Sequence, residues 1–158
     1  MNSLQQRSSA LELTTLQDGF TLTYQQRLIL RHTSQTPCLW IGNGVADIDM
    51  FRGNFSIKDK LNEKIALTSA TVSESSDGWR VDFSRGTTIN ATLKISTDEQ
   101  GRLKLDLQND DLSHNRIWLR LAANPADHIY GCGEQFSYFD LRGKPFPLWT
   151  SEQGVGRN

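Results

Sequence analysis

Three carboxylates, Glu134, Asp140 and Glu152, stand near the end of the chain among Phe136, Tyr138, Phe139, Phe146 and Trp149. Hydrolysis of a glycosidic bond commonly uses two acids, and a retaining pair must sit about 5 Å apart on rigid elements with well-separated acidities. A segment rich in Gly and Pro guarantees no such spacing, so no catalytic residue is assigned to this chain. The same residue types do suit sugar recognition. Aromatic rings stack on the C–H face of a pyranose, and a carboxylate accepts its hydroxyl protons. The plain packing alternative is an aromatic cluster that plugs one end of a core.

Other chemistry-bearing residues lead to weaker readings. Gly131, Cys132 and Gly133 begin like a dinucleotide fingerprint, but Phe136 occupies the third glycine position and no helical pattern follows. Gly143 and Lys144 resemble the end of a phosphate loop, yet Pro145 replaces the hydroxyl residue and Tyr138 the first glycine. Asp47 and Asp49 fall on one strand face without further oxygen ligands nearby, which reads as solvated carboxylates and not as a metal site. His32, His114 and His128 are scattered, and each is explained by a turn or strand edge without imidazole chemistry. Neither a cofactor nor a metal is expected.

The elements that must carry these residues are strands. From Gly19 to Leu121 the apolar residues recur with period two, the signature of half-buried sheet. Phe20, Leu22 and Tyr24 form one run, and Leu28 with Leu30 the next. Cys38 to Ile41 reads as a short buried strand closed by a turn at Gly42, Asn43 and Gly44. Ile65 to Val72 reads as a strand that turns through Ser75 to Gly78 into Trp79, Val81 and Phe83. Ile89, Ala91, Leu93 and Ile95 then hairpin through Asp98 to Gly101 into Leu103, Leu105 and Leu107. Ile117, Leu119 and Leu121 make a last run, with Arg116, Trp118 and Arg120 on its other face. Roughly eight or nine strands of this kind bury their apolar faces either by stacking two antiparallel sheets or by closing a barrel, and of the two the expected fold is an all-β antiparallel β-sandwich. It is expected to span residues 1–127, with 128–158 as a Gly- and aromatic-rich loop.

Composition narrows the class. Seventeen basic residues against eighteen acidic ones give a net charge of −1, which leaves no electrostatic footprint for nucleic acid or an anionic membrane. The first ten residues are polar with Arg7 their only charge, and no apolar run reaches the length of a membrane span. A cytoplasmic address is the resulting expectation. Two cysteines, Cys38 and Cys132, are too few and too far apart for a disulfide scaffold or a zinc site, and free thiols are expected.

The stretch His128-Ile-Tyr-Gly-Cys-Gly-Glu-Gln-Phe, with Asp140-Leu-Arg-Gly-Lys and Trp149, resembles the signature that ends the N-terminal domain of glycoside hydrolase family 31. Gln25-Gln-Arg-Leu-Ile-Leu, Trp40-Ile-Gly and Asp47-Ile-Asp-Met-Phe-Arg-Gly-Asn-Phe extend the resemblance to the bacterial branch of that family that releases sulfoquinovose from α-linked sulfoquinovosides. The resemblance implies a galactose-mutarotase-like sandwich followed by a (β/α)₈ barrel. That barrel would hold both aspartates of a retaining mechanism and the Arg and Trp that read the sulfonate. A barrel alone needs about 250 residues, so it is expected to lie outside this chain, leaving the sandwich inactive by itself. By the same resemblance, Glu134 and, second to it, Gln135 reach the sugar. The alternative of a different class is a free-standing carbohydrate-binding or structural module.

Overall fold

A computed structural model describes residues 10–51, 54–131 and 139–144. Among the described residues there are ten strands: β1 (Leu11–Leu16), β2 (Gly19–Tyr24), β3 (Arg27–Thr33), β4 (Leu39–Phe51), β5 (Asn54–Ala66), β6 (Ser69–Ser75), β7 (Gly78–Arg85), β8 (Thr88–Thr97), β9 (Leu103–Asn109) and β10 (Arg116–Leu119). They form three sheets, ordered β1-β2-β3, β10-β4-β5 and β6-β7-β8-β9. Every register that can be given is antiparallel. The chain divides into two compact units, one from the described residues of Met1–Val45 and Leu61–Ala122, the other from those of Ala46–Lys60 and Ala123–Asn158.

The first unit holds the core. Phe20, Leu22 and Leu30 from the first sheet meet Leu39 and Ile41 of β4 and Val81, Phe83, Ala91, Leu93 and Ile95 of the third sheet, all fully or almost fully buried. Each apolar side chain of this size withdrawn from water contributes about 1.5–3 kcal/mol, which offsets the entropy of ordering the strands. Phe20 and Phe83 meet edge to face, with ring centres 6.1 Å apart. The all-β sandwich is therefore the architecture.

Both expected hairpins form. Ser75 pairs with Gly78 across a two-residue turn, and Thr97 pairs with Leu103 across a turn in which Asp98 Oδ1 accepts the Gln100 and Arg102 N–H groups at 3.0 and 2.8 Å. The turn expected at Gly42–Gly44 does not occur: β4 runs straight through it. Gly42 serves close approach instead, because a Cβ there would fall 2.2 Å from the Glu63 carbonyl oxygen of β5. The single strand expected over Ile65–Val72 is broken at Leu67 and Thr68. Leu67 N–H there donates to the Leu39 carbonyl, and its side chain enters the core.

Two β-bulges account for the places where alternation misleads. In β3 the register passes from Leu22↔Leu30 to Thr23↔Leu28, skipping Ile29, so Leu28 is 44% exposed although it lies two residues from buried Leu30. In β8 it passes from Phe83↔Ala91 to Ser84↔Ile89, skipping Asn90, and Ile89 is 46% exposed. A bulge inserts one residue, which flips the faces beyond it and frees the extra residue's backbone. Both freed carbonyls find distant partners. Ile29 O accepts the Ala122 N–H, and Asn90 O accepts those of Asp110 and Asp111.

Candidate functional site

Glu134 and Gln135, the two residues expected to reach a sugar, lie outside the described residues, as do Cys132, Phe136, Tyr138, Phe146, Trp149 and Glu152. The residues that flank 132–138 on both sides are described, and they are drawn together. His128 Nδ1 donates to Asp140 Oδ2 at 2.6 Å, and Asp140 Oδ1 accepts the backbone N–H groups of Ile129 and Arg142 at 3.1 and 3.0 Å. Leu141 N–H adds a bond to the Ile129 carbonyl at 2.8 Å, and the Leu141 side chain is only 2% exposed. Arg142 spreads its guanidinium to the Asn124 and Asp127 carbonyls, each at 2.6 Å. Gly131 leaves this knot with φ +102°, a backbone angle open to glycine and strained for other residues.

The electrostatics follow from those bonds. The His128 ring, together with the Arg142 and Ile129 amides, holds the Asp140 carboxyl down at about 2, so Asp140 is a committed anion. A general acid needs a raised value, so the structure removes Asp140 from the acids available for proton donation and makes it a tether. Tyr130 and Phe139 are exposed, with ring centres 5.1 Å apart, and His128 stacks on Tyr130 at 6.0 Å. Aromatic residues held at the foot of the segment, one of them almost fully exposed, are surfaces on which a sugar ring can stack.

Other groups come together elsewhere, and two of these pairings had no sequence signal. His32 and Cys38, six residues apart, meet inside the core: Cys38 N–H donates to His32 Nδ1 at 3.3 Å, while His32 Nε2 faces Thr68 O at 3.4 Å. Both bonds are satisfied by a neutral ring with its proton on Nε2, and burial lowers the basicity of His32 below its ordinary value of 6.5. Burial likewise pushes the Cys38 thiol up to about 11, so this Cys and His form a packing pair and not an activated nucleophile. His114 sits between Asp111 (3.0 Å) and Glu63 (3.6 Å) on the β-sheet rim. Asp47 pairs with Lys60 at 3.1 Å on the exposed β4–β5 ribbon, in keeping with a solvated carboxylate. Among the described residues no three His, Cys, Asp or Glu side chains gather as metal ligands. No helix among them is long and apolar enough to cross a membrane.

On the outer face of the second sheet, Trp40 of β4 lies opposite Trp118 of β10. Lys64 Nζ caps both rings at 5.1 and 4.8 Å, and Arg120 stands 5.2 Å from Trp40. The capping cations shield these indoles.

Residues 45–157 match the family described as glycosyl hydrolase 31 N-terminal galactose mutarotase-like domain. The chain is 79% identical over 141 residues to the sulfoquinovosidase of Escherichia coli (strain K12) and 40% identical over 155 residues to that of Agrobacterium fabrum (strain C58). Those alignments take in 89% and 94% of this chain but 21% of each relative. Among solved structures it is similar to a GH31 family sulfoquinovosidase from E. rectale in complex with the aza-sugar inhibitor IFGSQ. The TM-score is 0.74 at 38% identity, over 93% of this chain and 21% of that one. The chain thus spans about a fifth of the length of these relatives, and its stacked antiparallel sheets agree with the fold the sequence resemblance implies.

Proposed function

Because the chain belongs to the family of glycosyl hydrolase 31 N-terminal galactose mutarotase-like domains, we propose that it is the supporting domain of a cytoplasmic, retaining α-glycosidase that releases sulfoquinovose from α-sulfoquinovosides. The observation that carries this reading is the 79% identity to the E. coli sulfoquinovosidase. That identity extends over 89% of this chain. In this reading the catalytic acids and the sulfonate-binding groups come from a (β/α)₈ barrel. The sandwich buttresses the barrel and lends the 128–158 segment to the rim of its substrate pocket. Glu134 accepts a hydrogen bond from a sugar hydroxyl, and Gln135 makes a secondary contact. The knot at His128, Asp140 and Arg142 supports this assignment, since a residue that touches substrate must be held by a firm base.

The test is a hybrid in which this whole chain replaces the matching residues of the E. coli sulfoquinovosidase. The hybrid is expected to cleave a chromogenic α-sulfoquinovoside, and the 158-residue chain alone is expected not to. Within the hybrid, Glu134→Gln removes one charge-assisted hydrogen bond and lowers kcat/KM by roughly ten- to a hundredfold. Turnover by the isolated chain would overturn the supporting role, and unchanged kinetics in Glu134→Gln would remove Glu134 from the pocket.

A further inference from the structure

We infer that the outer face of the β10-β4-β5 sheet, built from Trp40, Trp118, Lys64 and Arg120, is a docking surface for an acidic protein surface, and that its occupant is the catalytic part of the same polypeptide. The inference rests on the supporting role proposed above and adds to it the face through which that support is given.

Alternation places the face. Leu39 and Ile41 are buried in the core, so Trp40 between them points outward, and Trp118 lies directly opposite on β10. The Trp118 ring is laid down over Gly42, where a Cβ would stand 3.1 Å from its Cζ3, closer than ordinary contact. Lys64 Nζ sits above both rings and the Arg120 guanidinium above Trp40, while Arg120 Nη2 also donates to the Pro37 carbonyl at 2.8 Å. Both indoles stay half-buried and both cations exposed. Among the described residues neither Lys64 nor Arg120 takes part in an ion pair. Glu63, next to Lys64 in sequence, is engaged instead by Asn43 Nδ2 at 3.0 Å and by His114 at 3.6 Å.

The chemistry of the occupant follows. The indoles hold the two cations in place from beneath, which leaves a positive outer layer without counterions, the complement of a surface that carries carboxylates. Trp and Arg are residue types that carry binding energy at protein interfaces. Three hydrogen-bonded strands present them on a pleated face, whereas sites for small molecules are concave. A second copy of the same face would set cation against cation, so a different surface is required. The chain spans 21% of the length of each sulfoquinovosidase it matches, and in the proposed enzyme the larger remainder is there to supply that surface.

The test is amine labelling read by mass spectrometry, with Lys94 of β8, also exposed, as the internal reference. In the 158-residue chain Lys64 is expected to react within about threefold of Lys94, and in the hybrid at least roughly tenfold more slowly than Lys94. Lys64→Glu combined with Arg120→Glu is expected to restore fast oxidation of Trp118 in the hybrid, and to lower the thermal midpoint of the hybrid by more than that of the chain alone. Should that variant fail to accumulate, loss of Lys64 protection at high salt in the unaltered hybrid decides the same question. The same Lys64-to-Lys94 ratio in chain and hybrid, with the hybrid still cleaving an α-sulfoquinovoside, would overturn this inference alone. Protection that survives both charge reversal and salt would overturn the acidic occupant, and a dimer of the chain that Lys64→Glu dissociates would assign the face to a second copy. A hybrid without turnover would instead overturn the reading on which the inference rests.

Discussion

His32 and His128 each have a close partner, but one sits inside the sandwich and the other at the foot of the loop. His32 is buried between Phe20 (ring centres 5.8 Å) and Phe83 (5.2 Å), kept neutral, and bonded to the Cys38 amide. His128 is exposed, bonded to a carboxylate, and stacked on the exposed Tyr130 ring. In the core a polar group is tolerated because its bonds are satisfied, and its removal is felt as lost stability. At the loop base the same residue type costs little to change in stability and is tied to geometry. The contrast separates the part of the molecule that keeps the fold from the part that serves the site.

Stability measurements can break that contrast, the largest effect coming first. Phe83→Ala should cost about 3–5 kcal/mol in urea unfolding, because it opens a cavity against both Phe20 and His32. His32→Ala should cost about 2–3 kcal/mol, since it leaves the Cys38 amide without its acceptor inside the core. A loss below about 1 kcal/mol for either would mean that the core does not depend on this cluster. Asp140→Asn should lower the urea midpoint by less than His32→Ala does, because the stability its lowered carboxyl lends is screened by solvent, and an equal loss would erase the distinction between the two regions.

Acid sharpens the comparison because the two sites respond in different windows. His32 has a depressed basicity in the folded chain, so the unfolded chain takes up its proton first; the stability of the neutral ring is whole above 6.5 and falls as pH drops below that value. Asp140 works from the other end. Its carboxyl is lowered to about 2 from an ordinary 3.8, so its contribution is present above 3.8 and is lost only as pH falls toward 2. Unfolding free energies at neutral pH and at about pH 5 should therefore differ less in His32→Gln than in the unaltered chain. An equal difference in both would show that His32 is not the group that protonates.

A smaller readout concerns the thiol. In a Cys132→Ser background, Cys38 should react with a disulfide reagent at pH 8 at least about a hundredfold more slowly than in denaturant, because the thiol is buried and pushed up to about 11. Fast labelling of the folded chain would mean that the His32 side of the core opens readily.

The two hairpins were legible because turn chemistry and alternation agree over Ser75–Gly78 and Asp98–Gly101. Leu28 and Ile89 were misplaced because a bulge changes the face without changing the residue pattern that signals a strand. Gly42 was misread for a related reason: a glycine serves a turn or a close backbone approach equally well, and only the position of Glu63 O decides. Nor could local pattern reveal that Ile29 O would meet Ala122, or that His32 and Cys38 would share a bond, since both depend on long-range packing. At the candidate site the residue types of 128–144 pointed to sugar recognition, while the tether role of Asp140 emerged only from its three bonds.

The pairing of β10 with β4 has a consequence for biosynthesis. Gly44 N–H bonds to Asn115 Oδ1 across 71 residues, so at a ribosomal pace of about 5–20 residues per second β4 emerges some 4–14 seconds before the strand that flanks it. The β6–β9 hairpins, by contrast, close almost as soon as they appear. During that delay the Leu39–Gly42 margin of β4 is available to any other nascent chain. Slowing translation between codons 51 and 116 should therefore lower the soluble yield of this protein, through aggregation seeded at β4.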